Sequence, residues 1–135
     1  MKLKGRKEIR AAVKRWLEIF GWDWKTEAVC ADPTNKKNPL DRDNVSCIQI
    51  VQEEHLLKIW FNTKVLEKGE KITEEVVLHE LMHKPSTATR DMVKAMFDEN
   101  AEAWKAYEDA QEKMVDEYAY LILRAYNAGK KRRKK

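Results

Sequence analysis

Apolar positions recur along this chain with two different periods. Ile9, Val13, Trp16, Leu17 and Phe20 fall three or four residues apart among charged neighbours, which predicts an amphipathic helix from about Arg6 to Phe20. Gly21 stands where such a helix would stop. The period then changes. Glu27 to Ala31 reads as a short strand, and Val45 to Gln52 and His55 to Asn62 alternate apolar with more polar residues across a Glu53-Glu54 turn. A stretch rich in Asp, Asn, Lys and Pro, 32–44, separates the first strand from the second. After a turn at 68–71 the helical period returns in Val76, Val77, Leu78, Leu81 and Met82, with Thr73 as N-cap and Glu74 and Glu75 in the first turn. Pro85 disfavours helical geometry at Lys84, so this helix is expected to end just past residue 83, followed by a Ser/Thr loop. A second, longer helix is expected from about Arg90 to Ala128.

The order helix, three strands, helix, long helix predicts an α+β fold. A small, mostly antiparallel three-stranded sheet would be covered by helices, because it cannot bury its apolar face alone. The His55–Asn62 strand, next to the second helix in sequence, is the expected flank of any cleft, where an extended peptide could add to a free edge. At 135 residues the chain is long enough for one domain, placed at 1–128. Hydrophobic residues make up 43% and charged residues 37%, which points to a soluble globular protein. No apolar run is long enough to span a bilayer, and the basic N-terminus lacks a signal peptide's uninterrupted apolar stretch, so a cytoplasmic, non-membrane protein is expected. Cys30 and Cys47 sit in strand-like segments and are expected as thiols, with a disulfide between neighbouring strands as the alternative.

The net charge of +4 is uneven, with six cations in residues 129–135. With nothing apolar to bury, this tail is expected to be disordered, and Lys130, Lys131, Arg132, Arg133, Lys134 and Lys135 are candidates for weak electrostatic contact with nucleic acid. The charged first helix adds to that reading, in which the rest of the domain would be structural or latent.

The chemistry concentrates at His79-Glu80-Leu81-Met82-His83. Histidines four apart on a helix stack on one face and can reach one metal ion, and Glu80 beside them can take a proton from a metal-bound water. A catalytic zinc site usually needs a third protein ligand. The position six beyond His83, where a metzincin carries histidine, is Thr89. His55 begins a strand and is expected at the surface. A carboxylate on the long helix remains. At about 100° per residue, Glu108 falls within the apolar stripe of Val93, Phe97, Ala101, Trp104, Val115, Tyr118 and Ile122, Glu112 on its shoulder, and Glu117 outside it. Glu108 and Glu112 are therefore the leading candidates, with Asp91 an outside one.

The run Glu112-Lys113-Met114-Val115-Asp116-Glu117-Tyr118-Ala119-Tyr120-Leu121-Ile122-Leu123 resembles the E-x-x-A-D-x-F-A-x-x-L-L signature of ImmA/IrrE-type zinc peptidases. More broadly it is similar to the gluzincin pattern and to compact minigluzincins, some of them latent. Met82 and Val115 depart from the usual Gly and Ala. The resemblance implies a zincin-like domain and a zinc metallopeptidase acting on a protein or peptide. It makes His79, His83 and Glu112 the ligands of Zn2+, with Glu108 the alternative third ligand. Glu80 would be the general base, and Asp116 would hold a liganding histidine through a hydrogen bond. Tyr107, Tyr118, Tyr120 and Tyr126 are available as oxyanion donors, with no basis for choosing among them. Oligomeric state is not legible.

Overall fold

The structure, a computed structural model, describes residues 2–3, 5–33, 44–67, 72–97 and 99–133. Helix α1, Arg6–Phe20, buries Ile9, Ala12, Val13 and Trp16, the predicted stripe. Gly21 ends it at φ 68°, a left-handed conformation that lets the amide of Trp22 close back on the Leu17 carbonyl at 3.0 Å. Strands β2 (Lys25–Ala31), β3 (Ser46–Val51) and β4 (Leu56–Asn62) form one sheet in the order β2-β4-β3. The labels α2 (Thr63–Glu67), α3 (Glu74–Phe97) and α4 (Ala101–Arg133) denote the later helices. The short strands β1 (Lys2–Leu3) and β5 (Ile72–Thr73) pair beside them.

The fold is α+β, as the element order predicts, with two adjustments in the sheet. A 3-10 turn, Gln52–Glu54, and His55 at φ 49° connect β3 to β4 tightly, so that pair is antiparallel, Ser46 opposite Phe61 through Val51 opposite Leu56. β2 lies on the other side of β4 and runs parallel to it, so the sheet is mixed rather than mostly antiparallel. β4 is the interior strand, not the cleft flank. The strand with a free edge toward the helices is β3. Leu57, Ile59 and Phe61 of β4 are fully buried against α1, against Val77, Leu78 and Leu81 of α3, and against Val115 and Ala119 of α4.

No disulfide joins Cys30 to Cys47. Cys30 pairs opposite Phe61 and Cys47 opposite Trp60, adjacent β4 positions that point to opposite faces. The two thiols thus lie on opposite faces with β4 between them, about 10 Å apart at ordinary strand spacing. Burial pushes the Cys30 thiol up from its ordinary pKa.

The helical region departs from expectation at three points. First, α3 continues through Pro85 to Phe97 instead of stopping after His83. Proline removes the amide that would bond the Leu81 carbonyl. The turn is held by other contacts. The hydroxyls of Ser86 and Thr87 donate to the His83 carbonyl at 3.0 and 2.9 Å, and buried Ser86 accepts from Gln111 of α4 at 2.7 Å. The Lys84 ammonium also lies 4.6 Å over the rings of both Trp22 and Trp24, anchoring this turn to the segment after α1. Second, the expected Arg90–Ala128 helix is divided. Asn100 caps α4, its side-chain oxygen accepting the Ala103 amide at 3.0 Å. Third, α4 runs on to Arg133, so residues 129–133 are helical rather than disordered. Lys and Arg propagate a helix well once it is nucleated, and cations suit its C-terminal end. Lys134 and Lys135 lie outside the described residues. Among the described residues no helix is long and apolar enough to cross a membrane.

Candidate metal centre

α3 and α4 pack as an antiparallel hairpin, which brings the 79–83 turn of one against the 112–116 turn of the other. Val77, Leu78, Leu81 and Met82 are buried in the core, and His79, Glu80 and His83 turn toward the side that α4 and β3 enclose. On α4, buried Gln111, Val115 and Ala119 set the inward face, and Glu112 and Asp116 fall on its shoulder. His79 Nε2 lies 3.1 Å from Glu112 Oε2, and His83 Nε2 lies 3.3 Å from Glu112 Oε1. The two Nε2 atoms are 3.3 Å apart. The other nitrogen of His79, Nδ1, meets Asp116 Oδ1 at 2.5 Å. Nδ1–H donation to that carboxylate leaves Nε2 facing the cluster.

Among the described residues, His79, His83 and Glu112 form a group able to hold a metal ion. The donors fit one cation closely. A tetrahedron with zinc–ligand bonds of about 2.1 Å has edges of about 3.4 Å; the two Nε2 atoms are 3.3 Å apart, and each faces its own Glu112 oxygen, Oε2 at 3.1 Å from His79 and Oε1 at 3.3 Å from His83. Two imidazoles and a carboxylate are also a donor set that zinc accepts readily.

The electrostatics follow from the crowding of carboxylates around His79. Burial pulls its pKa down. Hydrogen bonding to Glu112, the charge of Glu80 and the bond to Asp116 outweigh that and push it up to about 9. The hydrogen bonds from His79 and His83 hold the Glu112 carboxyl far below the usual carboxylate range. Glu80 is buried at 4% exposure, and this burial raises its pKa. The hydroxyl of Ser46, donating to Oε1 at 2.7 Å, pulls the other way, as do both histidines.

A cleft of about 800 Å³ opens over this group. One wall is β3 with Ser46, Ile48 and Ile50. The other is the α3–α4 hairpin, with His79, His83, Thr87 and Arg90 on successive turns of α3. Glu108 also faces the cleft but turns to Arg90, 3.8 Å away, and stands apart from the histidine cluster. Asp91 lines the same outer end. His55 lies elsewhere, stacked on Trp24 at 5.0 Å. Among the described cleft-lining residues there is no tyrosine. Tyr107 stacks on Trp104, Tyr126 packs against Trp16, and Tyr118 and Tyr120 are exposed.

No protein-family model matches this chain, and neither a curated protein nor a solved structure does. The reading of the site therefore stands on its own geometry.

Ser46 is the site residue that sequence reading missed. Its only trace was its phase. It alternates with Ile48 and Ile50, so a polar residue occupied an inward position of an otherwise apolar strand face. Gln111 left the same kind of trace inside the buried stripe of α4. Of the basic tail, Lys130 and Lys131 lie on the last turns of α4, remote in sequence from the histidine cluster, and the Lys130 ammonium sits 4.8 Å over Tyr126.

Proposed function

We propose that this chain is a zinc-dependent endopeptidase of the gluzincin type, with His79, His83 and Glu112 as the ligand set and Glu80 as the general base. The observation that carries the reading is the convergence of two imidazole Nε2 atoms, 3.3 Å apart, on the two oxygens of Glu112 at 3.1 and 3.3 Å, with a buried carboxylate beside them in an open cleft. When bound, the cation supplies Lewis acidity toward water and the scissile carbonyl.

The chain's own residues supply the rest. An extended peptide fits the cleft along the free edge of β3, where main-chain hydrogen bonds would hold it. Glu80 accepts a proton from the attacking water and delivers it to the departing amine. Burial suits it to that cycle, because a carboxylate with a raised pKa returns the proton more readily. Ser46 fixes one Glu80 oxygen, leaving the other for the water. Asp116 keeps His79 oriented.

The test is elemental analysis of protein purified without chelator or affinity-tag metal, together with cleavage of casein by wild type and Glu80→Gln. The expected result is one zinc per chain in both proteins and a cleavage rate at least about 100-fold lower in the variant. Metal-free wild type, or undiminished cleavage by the variant, overturns the proposal.

A further inference from the structure

α4 carries a second apolar stripe that the described residues leave exposed. Met114, Tyr118 and Leu121 are 37, 49 and 48% exposed, and Ala125 and Ala128 continue the line, also exposed. The steps between these five are four, three, four and three residues, a heptad seam. At about 100° per residue the seam is turned roughly 100° from the buried Val115–Ala119 line. It lies on the flank away from Glu112 and Asp116, so anything docked there leaves the metal cluster accessible.

We propose that α4 pairs antiparallel with α4 of a second copy of this chain through Met114, Tyr118, Leu121, Ala125 and Ala128. The charge along the helix selects this occupant. Residues 101–112 carry four acids and one cation, whereas 124–133 carry five cations and no acid. A parallel pair would set like against like. An antiparallel pair sets the acidic half of each helix beside the basic half of the other. Centring the two-fold axis between Tyr118 and Leu121 places Tyr118 against the partner's Leu121 and Met114 against the partner's Ala125. The same register places Glu117, at the margin of the seam, against the partner's Arg124. Within the chain, Glu117 and Arg124 are both exposed and make no ion pair among the described residues. The small Ala125 and Ala128 let the helices approach closely. Each contact occurs twice, as an isologous interface requires. An anionic bilayer suits the seam less well, because Glu117 and the acidic first half of α4 would face it.

Sedimentation velocity of the full chain, from micromolar to sub-millimolar concentration, tests the proposal. Wild type is expected to approach twice the 16.0 kDa chain mass. Leu121→Glu is expected to stay monomeric with unchanged helical circular dichroism. Glu117→Arg is expected to raise the dimer Kd about tenfold by setting arginine against arginine, and adding Arg124→Glu should restore it. A monomeric wild type, or a dimer indifferent to Leu121→Glu, overturns the pairing. A dimer unmoved by Glu117→Arg overturns the antiparallel register. Wild type that does not self-associate yet co-sediments with phosphatidylserine vesicles assigns the seam to a membrane surface and overturns the second copy as occupant.

Discussion

Under the proposed ligand set, the proton on His79 and a metal ion would compete for the same nitrogen, and the groups around the ring set the size of that competition. Nδ1–H is committed to Asp116 at 2.5 Å, so the titrating proton occupies Nε2, the atom that faces Glu112 and His83. In metal-free protein this proton is held with a pKa pushed up to about 9. The ring is 20% exposed, but its partners Glu112 and Asp116 are 54 and 70% exposed, so solvent screening makes the cost worked from that pKa an upper bound. Metal binding at pH 7 must then displace a proton held about two pH units too tightly, a cost of at most about 2.7 kcal/mol or 100-fold in apparent affinity. From His79 alone, apparent affinity should rise about tenfold per unit from pH 7 to pH 9 and then level off. Chelator competition with zinc across that range measures the slope. Calorimetry at pH 7 in buffers of different ionisation enthalpy counts the proton, with about one released from His79 per zinc bound. Affinity that stays flat from pH 7 to 9, with no proton released, would refute the argument, since His79 would then not be giving up Nε2 to the metal.

Four further outcomes are expected. The raised pKa of His79 stabilises the metal-free fold, fully so below the unfolded value of 6.5, and this is lost as pH rises through about 9. Urea unfolding of metal-free protein should therefore show stability falling by up to about 3 kcal/mol between those limits, and zinc-loaded protein should not show that fall. Asp116→Ala frees the His79 ring and should weaken zinc binding about 10- to 100-fold in the same chelator assay, with the fold intact. Arg15 of α1 pairs with Glu74 at the start of α3, where the carboxylate is 2% exposed and the guanidinium 35%. Arg15→Ala strands the more buried charge and should cost about 3 kcal/mol in urea unfolding, Glu74→Ala less, about 2. Pro85→Ala restores the amide that α3 lacks and should raise stability by about 1 kcal/mol, less than the roughly 3 kcal/mol of an unsupported mid-helix proline, because the Ser86 and Thr87 hydroxyls already hold this turn.

What was legible in the sequence followed from local rules, and what was not depended on tertiary contacts. Ile9, Val13 and Trp16 named the buried face of α1, and Gly21 named its end, because helical period and left-handed capping are written in the chain itself. The spacing of His79 and His83 fixed a shared face in the same way. Glu112 needed more. Angular position left it level with or behind Glu108, and only the family resemblance ranked it first. The deciding physical fact is the register of the two helices, which sets Glu108 one turn from Glu112 and beside Arg90 of the opposite helix. Pro85 misled because a local preference at Lys84 was weighed without the contacts that oppose it, from Gln111, Trp22 and Trp24. Strand order was hidden for a similar reason. Alternation in 56–62 says which face is buried, and β4 turned out to be buried between two neighbours that periodicity cannot see.

These contacts explain why the cluster favours a positive charge at its centre. Glu80, Glu112 and Asp116 converge on His79 in a partly buried site, and three carboxylates so placed would repel one another if nothing cationic stood among them. In metal-free protein the proton on Nε2 takes that place, which is why Glu112 stays ionised and the ring holds its proton so strongly. A divalent cation held among these donors would do the same work with one charge more. The hairpin can therefore fold without metal, the proposed ligands already aligned by a proton on His79. Such a site differs from a zinc finger, whose fold forms only with its ion. A metal-free chain as helical as the zinc-loaded one, and cooperative in urea, is what this reasoning requires. A chain that unfolds on chelation would show that the carboxylates are too crowded for a single proton to hold.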